Sequence, residues 1–257
     1  MIEFHKYHGT GNDFIIIDNR DLTFNSDTKT ISMMCHRRFG IGADGLMLLE
    51  NSDKHDFLMR YYNSDGKEGS MCGNGGRSIV KFAKDIGLIK DSTIFLATDG
   101  VHHATINDNI ISLKMADVNC INKNNSHLFL DTGSPHHVEF VNNIKEFDVF
   151  NKGQNIRNSE TYFPNGTNVN FVEVIGNSLF VRTFERGVED ETYSCGTGVV
   201  ASVLAYAFLN NIDSKSINVD TKGGQLSVKF ESDINGYSNI WLTGPATKVF
   251  KGIIQLK

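Results

Sequence analysis

The tetrapeptide Cys72-Gly73-Asn74-Gly75 returns as Cys195-Gly196-Thr197-Gly198, an offset of 195 − 72 = 123 residues. At the same offset Thr98-Asp99-Gly100 answers to Thr221-Lys222-Gly223. With one residue fewer, Thr10-Gly11-Asn12 answers to Thr132-Gly133-Ser134, and Arg60-Tyr61-Tyr62-Asn63 to Arg182-Thr183-Phe184-Glu185. Four matches in one order mark a duplication, which restricts the chain to architectures that can be built twice. At 257 residues there is room for two such copies, each with a core of its own.

Each half reads as strand, Gly-rich turn, helix and further strands. Phe57–Tyr62 and Leu179–Phe184 are short runs of apolar, β-branched and aromatic residues, which favour strands. After the first cysteine motif, Ile79, Phe82, Ala83 and Ile86 recur at helical spacing, and Gly87 suits a C-terminal cap. After the second, Val199 to Leu209 is apolar almost all round, so that helix is expected to be buried on every side. Ile94–Leu96 and Ile217–Val219 follow as strands, then hairpins that end in Ile240-Trp241-Leu242. The order predicts an α+β fold of two similar, pseudo-symmetric domains, each a curled mixed β-sheet around a central helix. The polar run Asn122-Lys123-Asn124-Asn125-Ser126 marks the connector, giving halves at 1–116 and 117–246.

Composition narrows the partners. A net charge of −5 argues against a nucleic-acid binder, which needs a basic face. No stretch approaches the roughly 20 apolar residues of a membrane-spanning helix, and the N-terminus lacks the pattern of a secretory signal. The four cysteines contain no C-x-x-C pair, so a reduced, cytoplasmic protein is expected rather than a zinc ribbon or thioredoxin-like motif. Gly9-Thr10-Gly11 lacks the third glycine of a dinucleotide site, and no Gly loop is followed by the Lys and Ser/Thr of a P-loop. No cofactor and no metal are expected. His102-His103 read as solvated, and Cys35 and Cys120, outside any Gly motif, as small buried hydrophobes.

The repeated motif carries chemistry of its own. A cysteine at a helix start lies among backbone N–H groups and the positive end of the macrodipole, which favours thiolate over thiol. The flanking glycines let backbone amides approach a ligand, so each motif is an anion cradle beside an activated thiol. Two such units acting on one carboxylate place a sulfur on each face of its α-carbon. One removes a proton as thiolate, the other delivers a proton as thiol, and configuration inverts. The amide donors also stabilise the charge that develops on proton loss. A duplicated scaffold with purely structural Gly turns, a thiol-redox pair and a non-catalytic amino-acid-binding protein are the competing readings.

These motifs, with Tyr7-His8-Gly9-Thr10-Gly11-Asn12-Asp13-Phe14, Gly40-Ile41-Gly42-Ala43-Asp44-Gly45, Asn63-Ser64-Asp65-Gly66, Met71-Cys72-Gly73-Asn74-Gly75-Gly76-Arg77, Ser134-Pro135-His136, Glu185-Arg186-Gly187 and Gly244-Pro245-Ala246-Thr247, resemble the diaminopimelate epimerase family over essentially the whole chain. The resemblance implies pyridoxal-independent conversion of LL-diaminopimelate to the meso form, on the route to lysine and cell-wall cross-links. It implies a homodimer, and a last strand, about 247–257, that returns to the first half. Cys72 and Cys195 correspond to the acid–base pair. Gly73, Asn74, Gly196 and Thr197 correspond to the amides that hold the reacting carboxylate. Asn12, His136 and Glu185 then fall near its amino group and the thiols. Asn63, Asn168 and Arg186 fall at the distal end, with Arg186 set to pair bidentately with a carboxylate. The pattern departs at Gly45, where many relatives have glutamine, and at Ser134, where many have asparagine. The segment Gly187-Val188-Glu189-Asp190-Glu191-Thr192 is one residue longer than the common form. A racemase of proline, hydroxyproline or histidine on the same scaffold shares the cysteine pair and is the nearest alternative.

Overall fold

The computed structural model describes residues 1–69 and 71–256. The chain opens with β1 (Ile2–Gly9) and β2 (Asn12–Asp18), an antiparallel pair. Their link, Thr10-Gly11, has φ of 48° and 87°, the left-handed turn that matches strand twist in a two-residue hairpin. After α1 (Thr28–Cys35) comes β3 (Gly45–Glu50), parallel to β2 and buried along its whole length, as its run Leu46-Met47-Leu48-Leu49 requires. β4 (Leu58–Asn63) runs antiparallel to β3. The helix α2 (Gly73–Asp85) then crosses to β5 (Ser92–Ala97), parallel to β4, and β6 (Gly100–Asn107) and β7 (Ile110–Lys114) follow as hairpins.

The second run repeats this plan. β8 (Ile121–Lys123), β9 (Leu128–Asp131) and β10 (Pro135–Phe140) pair antiparallel in turn. After α3 (Val149–Arg157), β11 (Asn168–Ile175) is parallel to β10, and β12 (Ser178–Glu185) antiparallel to β11. A short β13 (Asp190–Thr192) doubles back on the end of β12. The helix α4 (Gly196–Asn210) crosses to β14 (Ser214–Thr221), parallel to β12, followed by β15 (Gly224–Asp233) and β16 (Gly236–Pro245). The final strand, β17 (Thr247–Ile254), pairs antiparallel with β1. Two compact units result: Met1–Leu113 with Gly244–Lys257, and Lys114–Thr243.

The repeat holds at the level of register. The strand order is β17-β1-β2-β3-β4-β5-β6-β7 in one unit and β8-β9-β10-β11-β12-β14-β15-β16 in the other. Phe14 pairs with Gly45 as His136 pairs with Asn168, and Leu46 with Tyr62 as Val169 with Phe184. One match shifts. The hairpin closes as Ala97↔Gly100 in one unit and Thr221↔Gly224 in the other, so Thr221 is the counterpart of Ala97, not of Thr98.

In the first unit α2 packs on β1, β2, β3, β6 and β17, near both ends of the strand order, so the sheet wraps around the helix. Ile79, Val80, Phe82 and Ala83 form its buried face. It ends in a Schellman motif: Gly87, with φ of 77°, donates to Lys84 O, and Leu88 N to Ala83 O. In the second unit α4 packs on β9, β10, β11, β12, β14 and β15. It is buried through most of its length, but the expectation of burial on every side fails in the last turn. Phe208 and Leu209 are 40% and 38% exposed there, because the helix outruns the sheet before Asn211 closes it with a left-handed cap. Cys35 is buried in the first core, and burial pushes its thiol up to about 12. Cys120 corrects its expectation: it is exposed, with its sulfur donating to Asn122 Oδ1 at 3.5 Å.

Candidate active site

Both motif cysteines sit at the N-cap of an equivalent helix. Cys72 and Cys195 have extended backbones, with φ of −109° and −113°, while their carbonyls accept the first helical bonds from Gly76 N (2.8 Å) and Val199 N (2.9 Å). The amides of each first turn therefore point out of the helix, toward the side chain of the cap and whatever it binds. In α2 one of them is already turned on the sulfur, with Gly75 N donating to Cys72 Sγ at 3.1 Å.

In the first unit the polar groups around Cys72 come from the β1–β2 turn and from α2 itself. Asn12 Oδ1 lies 3.9 Å from Cys72 Sγ and accepts from Asn74 Nδ2 at 3.4 Å. Asn12 is aimed by Asp44, which accepts from its amide at 2.7 Å. Asp44 in turn pairs with Arg37 (2.6 Å), which also pairs with Asp13 (2.7 Å), and Lys6 pairs with Asp13 as well (2.7 Å). Burial pushes the Asp13 carboxyl up, but the hydrogen bonds from Arg37 and Lys6 outweigh it and hold Asp13 at about 2. Behind the turn Arg77 is wholly buried, and it donates to Gly73 O (3.1 Å), Asn74 Oδ1 (2.8 Å) and Thr10 Oγ1 (3.3 Å). Asn63 stands apart from this group. It is exposed at the end of β4, beside Gly69 and Tyr61.

In the second unit the cluster is built on the ends of β10, β11 and β12. Cys195 Sγ lies 3.5 Å from Thr197 Oγ1, and that hydroxyl meets His136 Nε2 at 2.9 Å and Ser134 Oγ at 3.3 Å. Asn170 Nδ2 donates to His136 Nδ1 at 2.9 Å, so the ring accepts at Nδ1 and carries its proton on Nε2, toward Thr197 and Ser134. Burial, and then the charge of Arg186, hold His136 neutral, with its pKa lowered to about 3. Asn170 also donates to His137 O and accepts from Thr183 Oγ1, and a Cβ on Gly198 would fall 2.3 Å from Asn170 Oδ1. Glycine at 198 is what lets this asparagine lie against the helix.

Asn168 donates to Ser134 Oγ (3.2 Å) and Pro135 O (3.1 Å) and accepts from Arg186 N at 2.9 Å, so it fixes the loop that carries Arg186. Glu185 and Arg186 are half-buried at the end of β12. Arg186 donates to Asn165 O, and among the described residues no carboxylate pairs with it, which leaves its charge for an anion. His137, one residue along β10, points elsewhere. It stacks on His127 at 4.1 Å and bonds Tyr162 at 2.8 Å.

The two clusters correspond. Asn12 with Asn74 in one unit matches Ser134 with Thr197 in the other, and Thr10 and Thr132 each bond residue 74 or 197. Ser134 therefore supplies a hydroxyl at the centre of its cluster. Sequence reasoning did not single out Asn170, Asp44, Thr132 or the role of Arg77. A signal existed for Asn170: it alternates with Asn168 in a strand otherwise rich in Val and Phe, where a buried polar residue needs a reason. Among the described residues no group of three or more His, Cys, Asp or Glu side chains is placed to hold a metal ion, and no helix is long and apolar enough to cross a membrane.

A family model described as diaminopimelate epimerase matches residues 4–119 and 128–249. A diaminopimelate epimerase of Flavobacterium psychrophilum is 51% identical over 256 residues, spanning 98% of this chain and 100% of that protein. One of Chlorobaculum tepidum is 44% identical over 259 residues, spanning 96% and 99%. Among solved structures, a Bacillus anthracis phenazine biosynthesis protein of the PhzF family matches with a TM-score of 0.80 at 15% identity, covering 99% of each chain. A hydroxyproline epimerase of Agrobacterium vitis, with trans-4-OH-L-proline bound, matches with a TM-score of 0.74 at 11% identity, covering 98% and 90%. Likenesses at that identity establish the fold alone.

Proposed function

The chain belongs to the diaminopimelate epimerase family and is an isomerase, and on that premise we propose that it inverts one α-carbon of diaminopimelate with Cys72 and Cys195 as its two acid–base groups. The observation that carries the reading is the repeated helix start: each unit offers one cysteine at an N-cap, with matched polar side chains beside the sulfur. One thiolate takes the α-proton while the other thiol donates to the opposite face. Amides of Gly73, Asn74, Gly196 and Thr197 hold the carboxylate and spread the charge of the carbanionic transition state. His136 stays neutral and orients Thr197, while Asn12 and Glu185 flank the reacting amino group. Arg186, which no carboxylate pairs with among the described residues, takes the distal carboxylate as a bidentate pair, and Asn63 and Asn168 complete that end. A substrate with a second amino-acid end is favoured over proline or hydroxyproline by this unpaired cation.

The reaction runs without pyridoxal phosphate, on a small-molecule amino acid, in a cytoplasmic homodimer on the route to lysine and cell-wall cross-links. The test is proton NMR of LL-diaminopimelate in D₂O with reduced enzyme, together with a chiral product assay. Loss of the α-proton signal with appearance of the meso isomer is expected. Cys72→Ala and Cys195→Ala are each expected to abolish inversion, and normal inversion by either variant would end the two-base mechanism. Light scattering of the eluted protein tests the dimer.

A further inference from the structure

The two helix starts differ in charge. Arg77 lies in the second turn of α2 with its side chain wholly buried, and every acceptor it touches is a neutral oxygen: Gly73 O, Asn74 Oδ1 and Thr10 Oγ1. Its Nε has no partner, and among the described residues no carboxylate pairs with it. A buried cation without a counter-charge is costly and uncommon, so the site calls for an anion. Burial draws the guanidinium down to about 10 and the opposing influence is the charge of Cys72, so at neutral pH the group is cationic and senses that sulfur.

Among the described residues the second helix start has no equivalent wholly buried cation; the charge nearest its cluster is Arg186, half-buried after β12, which acts on His136. The helix position equivalent to Arg77 is Val200, which is buried among apolar neighbours of α4. Its polar group comes instead from the sheet, as neutral His136, whose counterpart in the first unit is Phe14. The duplication has thus exchanged partners: a buried cation behind Cys72, a neutral imidazole behind Cys195. Asn12 is uncharged, Met47 and Met59 are apolar neighbours of Gly75, and Asp13 and Asp44 are tied to Lys6 and Arg37. On β1, His8 accepts from Gly11 N, and Tyr7 donates to Asp85 at the far end of α2.

Resting on the two-cysteine reading above, we propose that Arg77 is a positioning residue that holds Cys72 as the thiolate of the resting enzyme, leaving Cys195 as the thiol. Between turnovers the pair then returns to one protonation state, and the isomer that needs Cys195 as base must first wait for the proton to exchange.

The test is alkylation of the substrate-free enzyme by iodoacetamide across pH, with each cysteine read separately by peptide mass spectrometry. The midpoint of each profile, not its absolute rate, reports the thiolate, so unequal exposure of the two sulfurs does not matter. In the natural protein Cys72 is expected to titrate below Cys195. In Arg77→Met its midpoint rises by about one unit or more, while the Cys195 midpoint stays put. Arg77→Lys restores most of the shift. A Cys72 midpoint at or above that of Cys195 in the natural protein overturns the proposal, as does an unmoved Cys72 midpoint in folded Arg77→Met, or equal shifts at both cysteines. If Arg77→Met does not fold, the natural protein and Arg77→Lys decide the matter by the same ordering. Epimerisation with Cys195 titrating first refutes this proposal and spares the activity. No epimerisation with Cys72 titrating first refutes the activity and spares the role of Arg77.

Discussion

His136→Leu separates a buried neutral histidine from one that matters only for its bulk. The ring is wholly buried, accepts from Asn170 Nδ2 at 2.9 Å, and meets Thr197 Oγ1 at 2.9 Å through Nε2. Leucine leaves one Asn170 N–H without its acceptor and removes the bond to the Thr197 hydroxyl. Each loss costs about 1–3 kcal/mol in a buried site, partly offset by the greater apolar burial of leucine. A net loss of about 1–3 kcal/mol is expected at pH 7.5. The pH dependence is the sharper test. The folded pKa of about 3 lies below the ordinary 6.5, so the native state binds fewer protons, and the stability that comes from keeping the ring neutral is present above 6.5 and lost as pH falls toward 3. At pH 5 the natural protein should have lost about 2 kcal/mol from this residue alone, a loss the variant cannot show. His137 titrates in the same direction but is present in both proteins and cancels. Trp241, the sole tryptophan, lies in β16 of the same unit, so urea unfolding followed by its fluorescence reads the relevant half. The gap between natural protein and variant should close by about 2 kcal/mol between pH 7.5 and 5. A gap that does not change with pH would refute a buried neutral His136.

Three further outcomes are expected. Asp13→Asn strips Lys6, whose side chain is 8% exposed, of its carboxylate partner. It should cost about 1–3 kcal/mol near pH 6, less than a fully buried pair because Arg37 is largely exposed. Since the folded Asp13 is held at about 2 against an ordinary 3.8, that difference should fade as pH falls from about 4 toward 2 in urea titrations. Gly45→Gln restores the residue common among relatives, but its Cβ would lie 2.6 Å from the Tyr61 ring and 2.7 Å from Tyr62 O. A loss of about 1–3 kcal/mol should appear as a lower Tm, and an unchanged Tm would show that β4 can yield there. Arg186→Ala should raise KM for diaminopimelate at least tenfold if it pairs with the distal carboxylate, and turnover within a few-fold of normal would remove it from that role.

The parts of this molecule that could be read from its sequence are those where one physical cause dominates. A Gly-flanked cysteine before an apolar helical run fixes an N-cap, so Cys72 and Cys195 fall where the motif puts them. Alternating apolar strands fix which face is buried, and duplication carries that information from one half to the other. What could not be read are the places where two copies of one scaffold solve the same problem with different atoms. Gly45 and Asn168 occupy the same register position, as do Phe14 and His136. Periodicity treats both pairs alike, since each residue satisfies the strand it sits in. Only the packing shows that Tyr61 occupies the space beside Gly45, while in the other unit Asn168 itself fills the equivalent place and ties Ser134 to Arg186. Arg77 was visible as part of a motif, but that no described carboxylate pairs with it is a property of three-dimensional burial and not of spacing. The symmetric fold gives each unit an equivalent cysteine at the start of a helix. If Arg77 acts as proposed, the substitutions that break the symmetry, cation for valine and imidazole for phenylalanine, give each cysteine a different resting charge. A proton shared by two identical halves would rest on either sulfur equally, so any bias between Cys72 and Cys195 must come from the residues that differ.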